Sequence, residues 1–341
     1  MQITTIGLDL AKHVFQVHGV DASGAVVVRR RVRRSEMLRY FGRLERCVVG
    51  MEACASAHHW ARALQALGHE VRLMAPQYIK AYVKRNKNDA ADAEAICEAA
   101  TRPSMRYVPV KSVEQQAALM QHRCRELLIR QRTMLINALR AHMAEYGIIA
   151  AKGPANAAQL VGLLSEPADE RLPATALKAL RALAAQLAAA EERIAVLHGE
   201  IVAWHRGNEA SRRLAGVPGI GPVIASAIVA TAPDPRAFSS ARHFAAWLGL
   251  APKQHATGGR QSLGRISKRG DTYLRRLLIN GAQSVLRWAK KGKSSPWLIA
   301  LLERRPRSVV AAALANKMAR IVWAMLSRGQ NYRREAIAPA A

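Results

Sequence analysis

Acidic residues are scarce in this chain, most of all towards its end. Of 341 residues, 24 are Asp or Glu against 52 Lys or Arg, a formal net charge of +28. Residues 1–110 hold 17 basic and 10 acidic side chains, residues 111–210 hold 12 and 10, and residues 211–341 hold 23 and only 4. So lopsided a balance points to a polyanion, nucleic acid first, bound by the C-terminal third. Cysteine is nearly as rare: Cys47, Cys54, Cys97 and Cys124 form no CxxC pair and have no paired histidines at zinc spacing. That excludes a structural zinc module and leaves buried thiols in a reducing compartment. The most apolar late stretch, residues 308–326, is interrupted by Lys317 and Arg320, which suits a packed helix better than a membrane span. The chain opens on a strand-like run, residues 3–10, without the basic start, apolar stretch and cleavage site of a secretory signal. The expectation is a cytoplasmic protein with no membrane segment.

What is present suffices for folded domains. Half the residues are hydrophobic and 22% are charged, and the length calls for two or three cores rather than one. Residues 3–20 are rich in β-branched and apolar types, residues 21–24 make a turn, and residues 25–32 continue as a partner strand. A helix at 35–44, a strand at 47–51, a helix at 58–67 and a strand at 70–74 follow, giving an α/β domain with a mixed sheet. Leu119, Leu127, Leu128, Leu135, Ile136 and Leu139 place a long helix over 113–145, and an Ala-rich helix spans 174–205. Between them, residues 147–173 are looser, so the pair reads as a hairpin or coiled-coil arm suited to dimerisation. The last third holds Gly-Pro-rich residues 214–222, helices at 223–231 and 240–248, a Gly-rich basic loop at 252–270, and helices at 271–290 and 308–327.

Three constellations carry chemistry. Asp9 sits inside a strand, where an unpaired buried carboxylate is costly. Glu52 lies just past another strand, and Asp89 and Asp92 stand three apart on a helix, facing one way. Together they offer the hard oxygen ligands that Mg²⁺ or Mn²⁺ prefers, and two such ions can activate an attacking oxygen and stabilise a leaving one. Each acid alone reads equally as a solvated or capping group. The order strand Asp, hairpin, strand-end Glu and helical DxxD matches a ribonuclease H-like topology. Gly219 and Gly221, in the turn before an apolar helix, would let backbone N–H groups meet a phosphate, or simply link packed helices. The basic loop carries Thr257, Arg260, Ser262, Arg265, Lys268 and Arg269, hydroxyls among glycines and cations, which suits an oxygen nucleophile or a passive phosphate grip.

Residues 6–12 (IGLDLAK), 49–53 (VGMEA), 88–93 (NDAADA), 216–222 (GVPGIGP), 249–252 (GLAP) and 266–274 (ISKRGDTYL) occur together in one order. In this the chain resembles, over nearly its whole length, the DEDD transposases of the insertion-sequence 110 type, related to Piv-type DNA invertases. The resemblance implies an α/β plus all-α protein: a RuvC-like domain over 1–110, a helical coiled-coil connector over 111–208, and a C-terminal transposase domain over 209–330. That last domain would be helical and DNA-binding, with a helix-hairpin-helix-like element, and residues 331–341 would form a basic tail. It implies Asp9, Glu52, Asp89 and Asp92 as catalytic metal ligands for two Mg²⁺ or Mn²⁺ ions. The family's serine nucleophile falls on Thr257, a departure that keeps Ser262 as the alternative. Gly219, Gly221, Arg260, Arg265, Lys268, Arg269 and Arg275 would bind DNA or RNA. The activity implied is cutting and rejoining of double-stranded DNA through a covalent protein–DNA intermediate, with a structured guide RNA and a homodimer or homotetramer as partners. The rival readings are a RuvC-like junction nuclease that uses water, and a non-catalytic nucleoid or RNA-binding protein.

Overall fold

The computed structural model describes residues 2–83, 89–151, 153, 156–165, 168–232, 234–290 and 294–333. They divide into two compact units, residues 1–113 with 232–237, and residues 114–231 with 238–341. Asn88 of the NDAADA motif, Pro154, Pro167 and residues 334–341 of the expected tail lie outside the described residues.

The first unit is built on six strands: β1 Thr5–Asp9, β2 Val14–Val20, β3 Val26–Arg33, β4 Val48–Glu52, β5 Glu70–Met74 and β6 Tyr107–Val108. Their order across the sheet is β3-β2-β1-β4-β5-β6. β1 runs antiparallel to β2 and parallel to β4, and β4 runs parallel to β5, so the sheet is mixed as expected. The run at 3–20 is two strands rather than one. It turns at the exposed Ala11, Lys12 and His13, and the antiparallel return then delivers Phe15 and Val17 to the core. On edge strand β3 the residues Arg29, Arg30, Arg31 and Arg33 charge an otherwise open edge, a common guard against edge pairing.

Among the described residues, four helices cover this sheet: α1 Met37–Phe41, α2 Ala57–Ala66, α3 Pro76–Ile79 and α4 Asp89–Thr101. Alternation decides which strand residues meet which layer. Ile6, Leu8, Val49 and Met51 point into one core with Phe41, Trp60 and Leu64. Gly7 and Gly50 point to the opposite face, where α4 lies. A Cβ on Gly7 would stand 2.1 Å from the Ala93 carbonyl oxygen, and one on Gly50 would stand 2.6 Å from the Ala100 Cβ. Glycine on the strands and alanine on the helix therefore bring α4 almost backbone to backbone with β1 and β4.

The second unit is mainly helical. Its helices are α5 Val113–Ala144, α6 Ala157–Gly162, α7 Ala174–Gly207, α8 Glu209–Leu214, α9 Pro222–Thr231, α10 Ala241–Trp247, α11 Thr272–Arg287, α12 Pro296–Arg304 and α13 Arg307–Arg328. The long α5 and α7 form the expected arm, sharing a core of Ile136, Leu139, Met143, Leu180 and Leu187. At the other end of α5, His122 is buried between Tyr273 and Ser226, its Nδ1 3.0 Å from the Tyr273 Oη and its Nε2 3.1 Å from the Ser226 Oγ. The Ser226 hydroxyl in turn donates to the Pro222 carbonyl at 2.7 Å. Burial pushes His122 down to about 4 and Tyr273 up to about 12, so this relay is neutral and ties α5, α9 and α11 together.

Three expectations need correction here, the first being that the thiols are buried: Cys54 and Cys124 are exposed. The loop at 252–270 is largely a β-hairpin, β7 Pro252–Thr257 and β8 Arg260–Ile266, set in an otherwise helical C-terminal region that fits the expected α/β plus all-α class. The helices α6 and α12 were not foreseen. α6 is only six residues long, and α12 follows a Ser-Pro start that reads as a turn. Helix α13 is long and apolar enough to cross a membrane by length and composition alone. Its buried side, with Val310, Ala315, Met318, Val322 and Met325, instead packs into the unit's core.

Candidate functional site

The acids collect at the carboxyl ends of β1 and β4. Asp9 ends β1 on the same face as Gly7, two residues on. Glu52, expected just past its strand, is the last residue of β4, and lies one register step beyond the Leu8–Met51 pair, beside Asp9. Because α4 is pressed onto this face through Gly7 and Gly50, its first turn carries Asp89 and Asp92 to the same place. Ligand oxygens of Asp9, Asp89 and Asp92 all lie within 4.8 Å of one another.

Like charges this close are unfavourable without a counter-ion. The Asp9 carboxyl is pushed up to about 6, first by burial and then by Asp92, Asp89 and Glu52. Among the described residues no lysine or arginine bridges to any of these four carboxylates. Hard oxygen donors, converging and only partly solvated, fit a divalent cation such as Mg²⁺ or Mn²⁺. The chemistry of the donor set is thus that of a metal centre, and Asp9, Asp89 and Asp92 with neighbouring Glu52 are the residues that would hold it.

The second unit presents its hydroxyls on the β7–β8 hairpin. Gly258 and Gly259 both have positive φ, 57° and 76°, the two-residue turn that matches the twist of a hairpin. Thr257 pairs with Arg260 across this turn, and His255 pairs with Ser262. Cross-strand partners share a face, and so do residues two apart. Thr257, Ser262, Arg260 and His255 therefore stand on one exposed face, a hydroxyl pair with a cation and an imidazole. His255 was not singled out from the sequence. Strand alternation from Thr257 would have found it, had residues 252–270 been read as strands rather than loop.

After β8 the chain fits backbone to backbone against Gly249. A Cβ there would lie 2.0 Å from the Arg269 carbonyl, and the Lys268 N–H donates to the Gly249 carbonyl at 3.1 Å. Lys268 takes a left-handed φ of 57° to do so, a conformation costing about 1 kcal/mol for a residue with a side chain. Lys268, Arg269, Arg260 and Arg265 are exposed. Arg275, expected among them, is not: it is 7% exposed, and its guanidinium donates to the Leu248 and Arg269 carbonyls and to the Thr272 hydroxyl. It braces this backbone contact. Gly219 likewise faces the Gly281 carbonyl, 2.7 Å from where its Cβ would be, whereas Gly221 opens onto free space ahead of α9.

Residues 6–148 match a profile described as a transposase of the DEDD insertion-sequence 110 type, and residues 211–295 match the transposase IS116/IS110/IS902 family. The chain is 55% identical to a Pseudomonas aeruginosa protein named "Probable family 20 transposase", over 98% of this chain and 99% of the relative. It is 40% identical to the Coxiella burnetii transposase for insertion sequence element IS1111A, over 97% and 92%, and 38% identical to the Yersinia enterocolitica transposase for IS1328, over 96% and 98%. This chain belongs to the insertion-sequence 110 family of transposases. The transposase is therefore an enzyme acting on DNA, and its acid cluster suits the divalent-metal use that the DEDD type of the family suggests.

Proposed function

We propose that the transposase cuts and rejoins double-stranded DNA at the ends of an insertion sequence through a covalent bond between a hydroxyl of the β7–β8 hairpin and a DNA phosphate. The observation that carries this reading is the convergence of Asp9, Asp89 and Asp92 within 4.8 Å at the end of β1, with Glu52 one strand over. The strand order β3-β2-β1-β4-β5, with the acids on β1, β4 and a covering helix, supports assigning the first unit to the ribonuclease H/RuvC-like folds.

Asp9, Glu52, Asp89 and Asp92 would hold two Mg²⁺ or Mn²⁺ ions. When bound, such ions polarise the scissile phosphate and stabilise the oxygens entering and leaving it. The Thr257 Oγ attacks that phosphorus. A new Oγ–P bond forms as a P–O bond of the strand breaks, and the hydroxyl proton passes through His255 or water to the departing deoxyribose oxygen. A strand-end hydroxyl then attacks the phosphothreonine and restores Thr257. Arg260, on the same hairpin face, stabilises the phosphorane charge. Lys268, Arg269 and Arg265 hold the backbone of the DNA, and the open turn at Gly221 gives a phosphate access to the Val223 N–H at the start of α9, since Pro222 has none and the Ile224 and Ala225 N–H groups donate to the Gly221 carbonyl.

The reading includes a guide RNA, since so basic a chain without an evident base-reading helix fits a sequence choice delegated to pairing. It also includes a homo-oligomer. Along α5 the exposed Ala117, Met120, Cys124, Leu127, Gln131 and Met134 recur at alternating spacings of three and four, a second coiled-coil seam beside the one shared with α7. It acts in the cytoplasm, where its DNA is.

The test is a denaturing gel of the protein with Mg²⁺, co-purified RNA and labelled DNA carrying the joined element ends. A covalent adduct lost in Thr257→Ala and Asp9→Asn but kept in Ser262→Ala is the expected result. Cleavage without any adduct would replace this mechanism with hydrolysis by a RuvC-like nuclease, and loss in Ser262→Ala alone would move the nucleophile.

A further inference from the structure

Beside the hairpin, the second unit holds a cleft of about 1330 Å³, of which the strand chemistry above uses only Arg265 and Lys268 at one edge. One wall is the end of β8 and the segment after it, with Arg265 and Lys268; the other is α13. Residues of α13 line it at positions 309, 312, 313, 316, 317, 320, 321 and 324, one continuous face of a helix. The opposite face, through Val310, Ala315, Met318, Val322 and Met325, is buried in the core. The cleft face of helix α13 thus keeps Val309, Ala312, Ala313, Ile321 and Ala324 among its polar residues, so apolar side chains lie on this side as well as on the packed one. A helix face of this kind wants an apolar partner.

Charge says what the partner is. Among the described residues that line it, Arg265, Lys268, Lys317 and Arg320 are cations and none is an acid. Trp297 of α12 also lines the cleft, 39% exposed, with the Lys317 Nζ 4.8 Å from its ring centroid. Cations above an apolar floor with an aromatic ring are what an unpaired strand needs: phosphates meet Lys and Arg, and base faces meet the ring and the aliphatic surface. A duplex would offer the floor only phosphate and sugar. The cleft is also continuous with the hairpin, since Gly264 and Arg265 belong to β8 together with Ser262.

We propose that the cleft between β8 and α13 is a binding channel for unpaired DNA, holding the strand that leads to the hairpin hydroxyl, with a base stacked on Trp297 and phosphates on Arg265, Lys268, Lys317 and Arg320. The proposal rests on the transposase acting on DNA, and not on which hydroxyl attacks.

Fluorescence anisotropy of the full-length protein tests it, with a labelled oligodeoxythymidine, the same strand annealed to oligodeoxyadenosine, and an oligouridine of equal length. Trp297→Ala is expected to weaken oligodeoxythymidine binding about tenfold and duplex binding less than about twofold. Trp297→Phe is expected to restore most of the loss, because it keeps a stacking face in a slightly smaller side chain. Arg320→Gln, on the exposed side of α13, is expected to lower the salt slope for the single strand by about 0.7, the share of one phosphate. Single-strand affinity unmoved by Trp297→Ala and Arg320→Gln, with duplex binding and strand cleavage intact, would overturn the channel and leave the transposase reading standing. Equal losses for single strand and duplex would make the surface a general phosphate grip and overturn it too. Oligouridine bound more tightly than oligodeoxythymidine, and released by Trp297→Ala, would assign the cleft to RNA instead. Failure of the unaltered protein to bind either DNA probe would count against the transposase reading itself.

Discussion

The two chemical regions of this protein are built by opposite means. The acid site is held by backbone contact: Gly7 and Gly50 admit α4 so closely that no side chain fits between, and Asp9, Asp89 and Asp92 converge beside Glu52, all but Asp89 partly buried. The hydroxyl site stands on a two-stranded hairpin in which every residue of β7 and nearly every residue of β8 is exposed. Ligands for a small, strongly hydrated cation must be fixed to fractions of an ångström before it arrives, whereas a nucleophile that meets a long, flexible polymer can be positioned by the polymer. Charge follows the same division. The acids sit where repulsion is paid for by rigid packing, and the hairpin's cations, Arg260 and Arg265, lie on open surface.

The contrast breaks first at glycine. Gly7→Ala puts a methyl 2.1 Å from the Ala93 carbonyl and 2.4 Å from the Cys97 nitrogen, which only a shift of α4 can relieve. We expect a loss of about 3 kcal/mol or more in the first unit, at the upper end of what overpacking costs, with no strand cleavage. Gly264→Ala in the hairpin meets nothing nearer than 3.6 Å and should stay within about 0.5 kcal/mol of the parent. Urea denaturation of the two variants reads this directly. Equal stabilities would mean that α4 is not locked to the sheet.

These two regions were not equally legible in the sequence. Asp9, Glu52, Asp89 and Asp92 stand out because carboxylates in a strand and at DxxD spacing are locally improbable, and chain order alone suggested their meeting. The glycines that make them meet carry no such signal, since Gly7 and Gly50 look like any strand glycine until α4 is laid across them. The hairpin misled for the converse reason. Its strands are polar and fully exposed, without the apolar alternation that marks a half-buried strand, so residues 252–270 read as loop and His255 went unnoticed. Arg275 shows a third limit: a buried arginine bonded to carbonyls has the same letter as one that grips phosphate. Helix α12 was hidden because the turn signal of Ser295-Pro296 also serves as a helix start.

A smaller effect separates the regions by pH. The folded Asp9 titrates at about 6 against an ordinary value of 3.8, so folding binds a proton between these values. Stability from this group is therefore present at low pH and lost as pH rises through about 6, where the ionised carboxylate is left facing its neighbours. A divalent cation removes that penalty. Mg²⁺ is expected to raise the Tm of the chelator-treated protein little near pH 5 and by about 2–4 °C near pH 7.5, a figure already discounted for the partial solvation of the site. Asp9→Asn should raise the metal-free Tm at the higher pH and abolish the response to Mg²⁺. A Tm indifferent to Mg²⁺ at both values would remove the acid cluster as a cation site.

The finest probe compares one-carbon changes at each region. Asp92→Glu keeps the charge but lengthens the arm by about one methylene in a cluster whose oxygens lie within 4.8 Å. Misplacement on that scale costs on the order of 10²-fold in rate at a fixed site. Thr257→Ser removes one methyl from an exposed turn, frees χ1 and relieves crowding around the oxygen. The rate of adduct formation should then change by no more than about threefold, and upward. Single-turnover measurements on joined-end DNA compare the two variants without interference from product release. A Thr257→Ser variant as slow as Asp92→Glu would mean that the β-methyl is itself a positioning contact. The hairpin would then be as rigidly specified, once DNA lies on it, as the acid site is without it.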